Sequence, residues 1–158
     1  MDLKSHWQHL AQHDLGATTI EFALSLVLHC MLLLGVMEAS LGVYAFHFTA
    51  EAAREGTRYA SVRGSSCAGS SSACPAQSSD IQTYVQSLVY PGINPAAMTV
   101  TTTWSAYPSG TACSPSSSCN NPGNLVTVMV SYKFPFSVPL LPSNVWAVTS
   151  SSAMVISQ

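Results

Sequence analysis

The hydropathy pattern is dominated by one feature, a run over residues 22–37 without a formally charged side chain. It lies inside a proline-free stretch of helix formers from residue 17 to about 62. The first half of that stretch is apolar all round, which predicts a buried or lipid-facing helix. At 1.5 Å per residue it is roughly 69 Å long, against about 30 Å for a hydrocarbon core. The expected division is therefore about 17–38 across a membrane and 39–63 as a projecting stem. The stem mixes Tyr44, Phe46, Phe48 and Tyr59 with Glu51, Arg54, Glu55 and Arg58. Glu51 with Arg54 and Glu55 with Arg58 are i,i+3 pairs worth about 0.2–0.5 kcal/mol each, and they read as a solvated helix face.

Gly64-Ser65-Ser66 closes the helix and opens a Ser/Ala loop reaching Ser79. Beyond it, Ile81, Tyr84, Val85, Leu88 and Val89 fall at i, i+3, i+4, i+7 and i+8, which predicts a short amphipathic helix. Ser79 or Asp80 is its expected N-cap and Pro91-Gly92 its stop. Three strand-like segments follow at 98–107, 125–134 and 145 to about 156, rich in β-branched and aromatic residues. In the middle one Val126, Val128, Val130, Tyr132 and Phe134 alternate strictly. The expectation is an α+β fold: a long N-terminal helix, a short helix, and a three- to four-stranded antiparallel meander with one face on the helices. Pro135, Pro139 and Pro142 are assigned to a connection.

Charge narrows the chemistry. Charged residues are 8% of the chain, against roughly 25% in typical domains, and the net charge is −2. From residue 64 to 158 the only Asp, Glu, Lys, Arg or His residues are Asp80 and Lys133. General acid–base catalysis needs a titratable group near working pH, and a nucleophilic serine needs a base beside it. Calcium sites want several oxygen ligands, and no histidine lies in this region to join cysteines on zinc. No catalytic residue, metal site, cofactor, small-molecule substrate or nucleic acid is expected.

The cysteines divide by position. Cys67 and Cys74 lie in the first loop, Cys113 and Cys119 in the second, and Cys30 in the apolar run, where it reads as a small buried hydrophobe. Four loop cysteines in an exported domain predict two disulfides with three possible connectivities. Close spacing favours Cys67 with Cys74 and Cys113 with Cys119, although cross-loop bonds would constrain the unfolded chain more. Neither pair has Cys-x-x-Cys spacing.

Glu21 lies five positions past Gly16, in Gly16-Ala17-Thr18-Thr19-Ile20-Glu21-Phe22, at the edge of the apolar run. A carboxylate there is a functional candidate, since ionisable groups cost roughly 2.5–3.5 kcal/mol at a bilayer centre. The arrangement resembles the type IV prepilin class. Glu21-Phe22-Ala23-Leu24, Gly35-Val36-Met37-Glu38 and Ala52-Ala53-Arg54-Glu55-Gly56-Thr57-Arg58-Tyr59-Ala60 are together similar to TadE-like proteins, over about residues 16–61.

That resemblance implies a prepilin-type leader, residues 1–16, cut between Gly16 and Ala17 by a prepilin peptidase. It carries Lys4, His6, His9 and His13, where family leaders are arginine-rich. Many relatives have a proline near Val27, so a straighter helix is expected here. The resemblance further implies a minor pseudopilin of the tight-adherence (Flp, type IVb) pilus. Such a protein is bitopic in the bacterial inner membrane, with its C-terminal domain periplasmic. Its implied partners are other pilin or pseudopilin subunits and the inner-membrane assembly platform.

In that setting Glu21, followed by Phe22, pairs with the Ala17 amine of a neighbouring subunit and fixes axial register. Alternatively, Glu21 sits at the headgroup boundary, favoured by the helix dipole. Ala23, Ser25, Gly35, Ala39 and Gly42 supply small residues for helix packing. The Ala53, Arg54, Glu55, Gly56, Arg58 and Tyr59 positions form the family-like stem motif. Glu38 marks the far membrane boundary, while His29 and His47 read as tolerated polar residues. Two competing readings stand beside this one. A secretory signal cut near Val43-Tyr44-Ala45 would release a soluble protein from about Phe46. A membrane-anchored or secreted binding module would use its two Ser/Cys loops for adhesion to a surface ligand.

Overall fold

The computed structural model describes residues 3–67, 74–88, 90–113, 118–136 and 144–157, with side chains from Gly16 onward except at 118, 136 and 144. Two α-helices, α1 (Leu3–Ser61) and α2 (Ser78–Ser87), precede four strands: β1 (Met98–Ser105), β2 (Ala112–Cys113), β3 (Leu125–Phe136) and β4 (Asn144–Val155). The strands form one antiparallel sheet in the order β2-β1-β3-β4. This is the expected α+β architecture. Contacts divide the described residues into two units, 3–40, and 41–136 with 144–157.

In the first unit the described side chains, from Gly16 to Ser40, are exposed or half-buried along α1. Cys30, expected to be buried, is exposed on that surface. No described residue covers the helix at that point, so even a small hydrophobe faces outward.

The second unit is built on the register of its sheet. Val126, Val128, Val130 and Tyr132 stand opposite Trp104, Thr102, Val100 and Met98 on one side, and Met154, Ser152, Ser150 and Val148 on the other. Because side chains alternate along a strand, these even-numbered positions share the core face. Ile81 and Val85 of α2 and Phe48, Ala52, Ala53 and Ala60 of α1 complete the core. Gly56 is the point of closest approach. A Cβ there would lie 2.8 Å from Val85 Cγ2 and 3.2 Å from Val128 Cγ1. Both valines are fully buried, so neither methyl has room to retreat. The helical segment expected to stand as a stem is thus the central element of this unit. Its charged side is solvated: Glu51, Arg54 and Arg58 are exposed.

Several local expectations are corrected. The N-cap of α2 is Gln77, not Ser79 or Asp80; Asp80 occupies N3 and accepts from the Gln77 backbone N–H in a reciprocal capping box. β1 stops at Ser105 rather than at residue 107, because a turn closed by Gly110 N–H to Ala106 O, with Gly110 at φ +70°, reverses the chain into β2. Pro135 lies in β3, opposite Val145, not in the connection. β1 ends at Met98, opposite Tyr132, so β3 beyond that point pairs on one side only, where a missing N–H is tolerated. Pro139 and Pro142 lie outside the described residues.

Candidate functional site

Within the first unit, Gly16, Ala17, Glu21, Phe22, Ala23, Ser25 and Ala39 are exposed and Gly35 is half-buried. Ser25 and the nearby His29 and Ser40 turn back onto their own helix. Ser25 Oγ donates to Phe22 O at 3.3 Å, His29 Nδ1 bonds Ser25 O at 2.7 Å, and Ser40 Oγ donates to Val36 O at 2.8 Å. Such bonds leave the outer surface apolar without stranding a polar group. A Cβ added at Gly16, Gly35 or Gly42 meets nothing within 4 Å. The chain's own packing therefore does not require glycine there, whereas it does at Gly56.

In the second unit the sequence-level stem motif separates into two sides. Ala53 and Gly56 face the core. Arg54 pairs with Glu51 at 3.4 Å, and Arg58 with Glu55 at 3.5 Å. The Tyr59 ring stacks on Tyr84 at 4.2 Å and carries the Arg63 guanidinium 3.9 Å above its centroid. Glu55, Arg58, Tyr59, Arg63, Tyr84 and Met154 border an open groove of about 530 Å³. Residues that sequence reasoning missed include Thr57, whose hydroxyl lies 2.7 Å from Ala53 O and 3.2 Å from Ser152 O, joining α1 to β4. Its signal was a threonine between Gly56 and Ala60, polar but on the small-residue face.

Cys67 is bonded to Cys74 and Cys113 to Cys119, each with Cα atoms 6.1 Å apart. The two loops meet at Asn120, which is buried: its backbone carbonyl accepts from Ser65 N–H at 2.7 Å and its side-chain amide donates to Ala76 O at 3.1 Å. Nothing in the periodicity singles this asparagine out. At the other end Tyr90 packs edge-on against Phe48 at 4.6 Å. Burial, and then the Glu51 and Glu55 carboxylates, push its phenol above the usual tyrosine range.

Among the described residues one N-terminal helix, ahead of an α+β domain, is long and apolar enough to cross a membrane, which fits a single-pass membrane anchor. Residues 16–58 match the family model described as TadE-like protein, covering both the apolar helix and the face that receives the sheet. Over that span, well under half of the chain, the sequence is similar to TadE-like proteins. Neither the curated proteins nor the solved structures contain a match.

Proposed function

We propose that this is a non-catalytic minor pseudopilin, anchored in the bacterial inner membrane with its second unit in the periplasm. It takes part in the assembly or initiation of a tight-adherence, type IVb pilus. A prepilin peptidase cuts between Gly16 and Ala17, and the exposed helix then packs beside other pilin or pseudopilin helices on the assembly platform. Glu21 meets the Ala17 amine of a neighbour; a misaligned subunit would leave both charges unpaired in a low-dielectric bundle. The observation that carries the reading is the open space around Gly35 and Gly42 on an apolar helix with a TadE-like match. Small residues that the fold itself does not need suit close approach by another helix.

Intact-mass and N-terminal analysis of protein from cells with and without the peptidase tests this reading. Peptidase-dependent loss of residues 1–16 supports it. Retention of the N-terminal segment in both, or a new terminus near Phe46, rejects it.

A second reading, an adhesion module, draws on the convergence of the two disulfide loops through Asn120. Exchanging both loops separates the two: lost adhesion with intact pili favours binding, and lost pili favour assembly.

A further inference from the structure

The two ends of the second unit differ in chemistry. Ser61 accepts from Ser157, and Ser65 donates to Asn120 through its N–H and to Asn121 through its hydroxyl, so one end carries the disulfide loops and small polar side chains. At the opposite end the rings of Phe48 and Tyr132 lie 6.1 Å apart, Tyr44 Oη donates to Pro91 O at 3.1 Å, and Phe134 stands opposite Trp146. Phe48 meets Tyr132, which pairs with Val148; at about 1.5 Å per helical residue and 3.3 Å per strand residue, Trp146 comes level with roughly residue 44. Four large hydrophobes are exposed together here, Trp146 at 63%, Val145 at 62%, Phe46 at 52% and Tyr44 at 40%, while Tyr107, Val62 and Val155 are exposed singly towards the other end. Single exposed hydrophobes are ordinary, but a set of them at one end marks an interaction surface.

Chain connectivity identifies the occupant. Leu41 to Phe48 follow the apolar run on the same helix. A crossing of about 20 residues that begins between Ala17 and Glu21 ends between Met37 and Leu41. Tyr44 and Phe46 then come about 4–14 Å beyond the hydrocarbon, against a headgroup layer of roughly 5–8 Å. Tyrosine and tryptophan are the residues enriched at that depth. Lys133, the sole cation from residue 64 to 158, is exposed at this end, one residue before Phe134.

We propose that this end of the second unit is a membrane-contacting collar, with Tyr44, Phe46 and Trp146 in the lipid headgroup layer and Lys133 reaching the phosphates. The proposal rests on the membrane-anchor reading above. The collar holds the domain against the bilayer before assembly, and extraction of the subunit into a filament exposes it.

The test uses full-length protein carrying Trp7→Phe in phosphatidylcholine–phosphatidylglycerol vesicles. The lipids are spin-labelled either beside the headgroup or near the terminal methyl. Co-flotation with the vesicles reports the anchor, and the emission lost on adding Trp146→Phe isolates Trp146. The expected result is flotation, with Trp146-dependent emission quenched more by the shallow label than by the deep one. If the protein floats but this emission is untouched by either label, the collar is overturned while the anchor stands. Trp146 open to aqueous acrylamide would then face water, and Trp146 shielded from acrylamide would be covered by protein. Failure to float overturns both readings.

Discussion

Gly35 and Gly56 lie on the same helix, yet the space around them is opposite in kind. A Cβ added at Gly35 would meet nothing within 4 Å, whereas the same atom at Gly56 would collide with Val85 and crowd Val128. Small residues thus do two jobs on α1. In the second unit they bring the helix down onto the sheet, and the chain supplies both partners. In the first unit Gly35 lies on an apolar surface where no described residue stands within 4 Å of an added Cβ. One continuous secondary structure therefore carries a core-building face and, on the proposed function, an assembly face.

The largest expected effect falls on the assembly side. On the proposed function, Glu21→Ala leaves a neighbour's amine buried without a partner, a loss of about 3–5 kcal/mol that lowers incorporation more than about 100-fold. Domain unfolding is unchanged. Normal recruitment of this variant into assemblies would refute the register role. Matched glycine substitutions sharpen the contrast. Gly56→Leu overpacks the core by about 2–3 kcal/mol, even though leaving glycine gains about 1 kcal/mol of helix propensity. Its thermal midpoint falls by about 10 °C or more. Gly35→Leu keeps the wild-type midpoint and impairs pilus assembly instead. Equal midpoints for the two variants would erase the distinction.

Much of this division is written in the residues, but not all of it in hydropathy. The alternation from Val126 to Phe134 and the i, i+3, i+4 spacing from Ile81 reveal β3 and α2, because burial on one face imposes a period. β2 is illegible, since two residues cannot express one. The solvated face of α1 is legible from the Glu51–Arg54 and Glu55–Arg58 spacing, and Glu51, Arg54 and Arg58 are exposed, but the core face opposite is not legible from hydropathy. Ala52, Ala53, Gly56, Thr57 and Ala60 add little apolar area and announce close approach rather than hydrophobicity. Glu21 stands out from its position beside the apolar run, and the structure adds that the helix around it is exposed. Asn120 is invisible because its role depends on a meeting of two loops distant in sequence.

Smaller effects probe the second unit alone. Thr102 Oγ1 is buried without a hydrogen-bond partner among the described residues. Thr102→Val removes that hydroxyl at nearly constant shape and stabilises by about 1 kcal/mol, read as a raised denaturant midpoint. A lowered midpoint would mean that the hydroxyl is satisfied in solution. The smallest effect is on Tyr90. Its folded pKa is raised, so the contribution of the neutral phenol is complete below the unfolded value of about 10 and is lost as pH climbs through the folded value. Tyr90→Phe flattens the decline in unfolding midpoint above about pH 10, and an identical decline in both proteins would exclude this origin.

Site-specific photo-crosslinking in cells assembling the pilus bears most directly on the two faces of α1. A photoreactive residue at Ser25 is predicted to give adducts with pilin-type subunits, while one at Ala53 gives only links within the chain. Adducts to those subunits from Ala53, or none from Ser25 in cells that process and export the protein normally, would contradict the assignment of an outward assembly face and an inward core face.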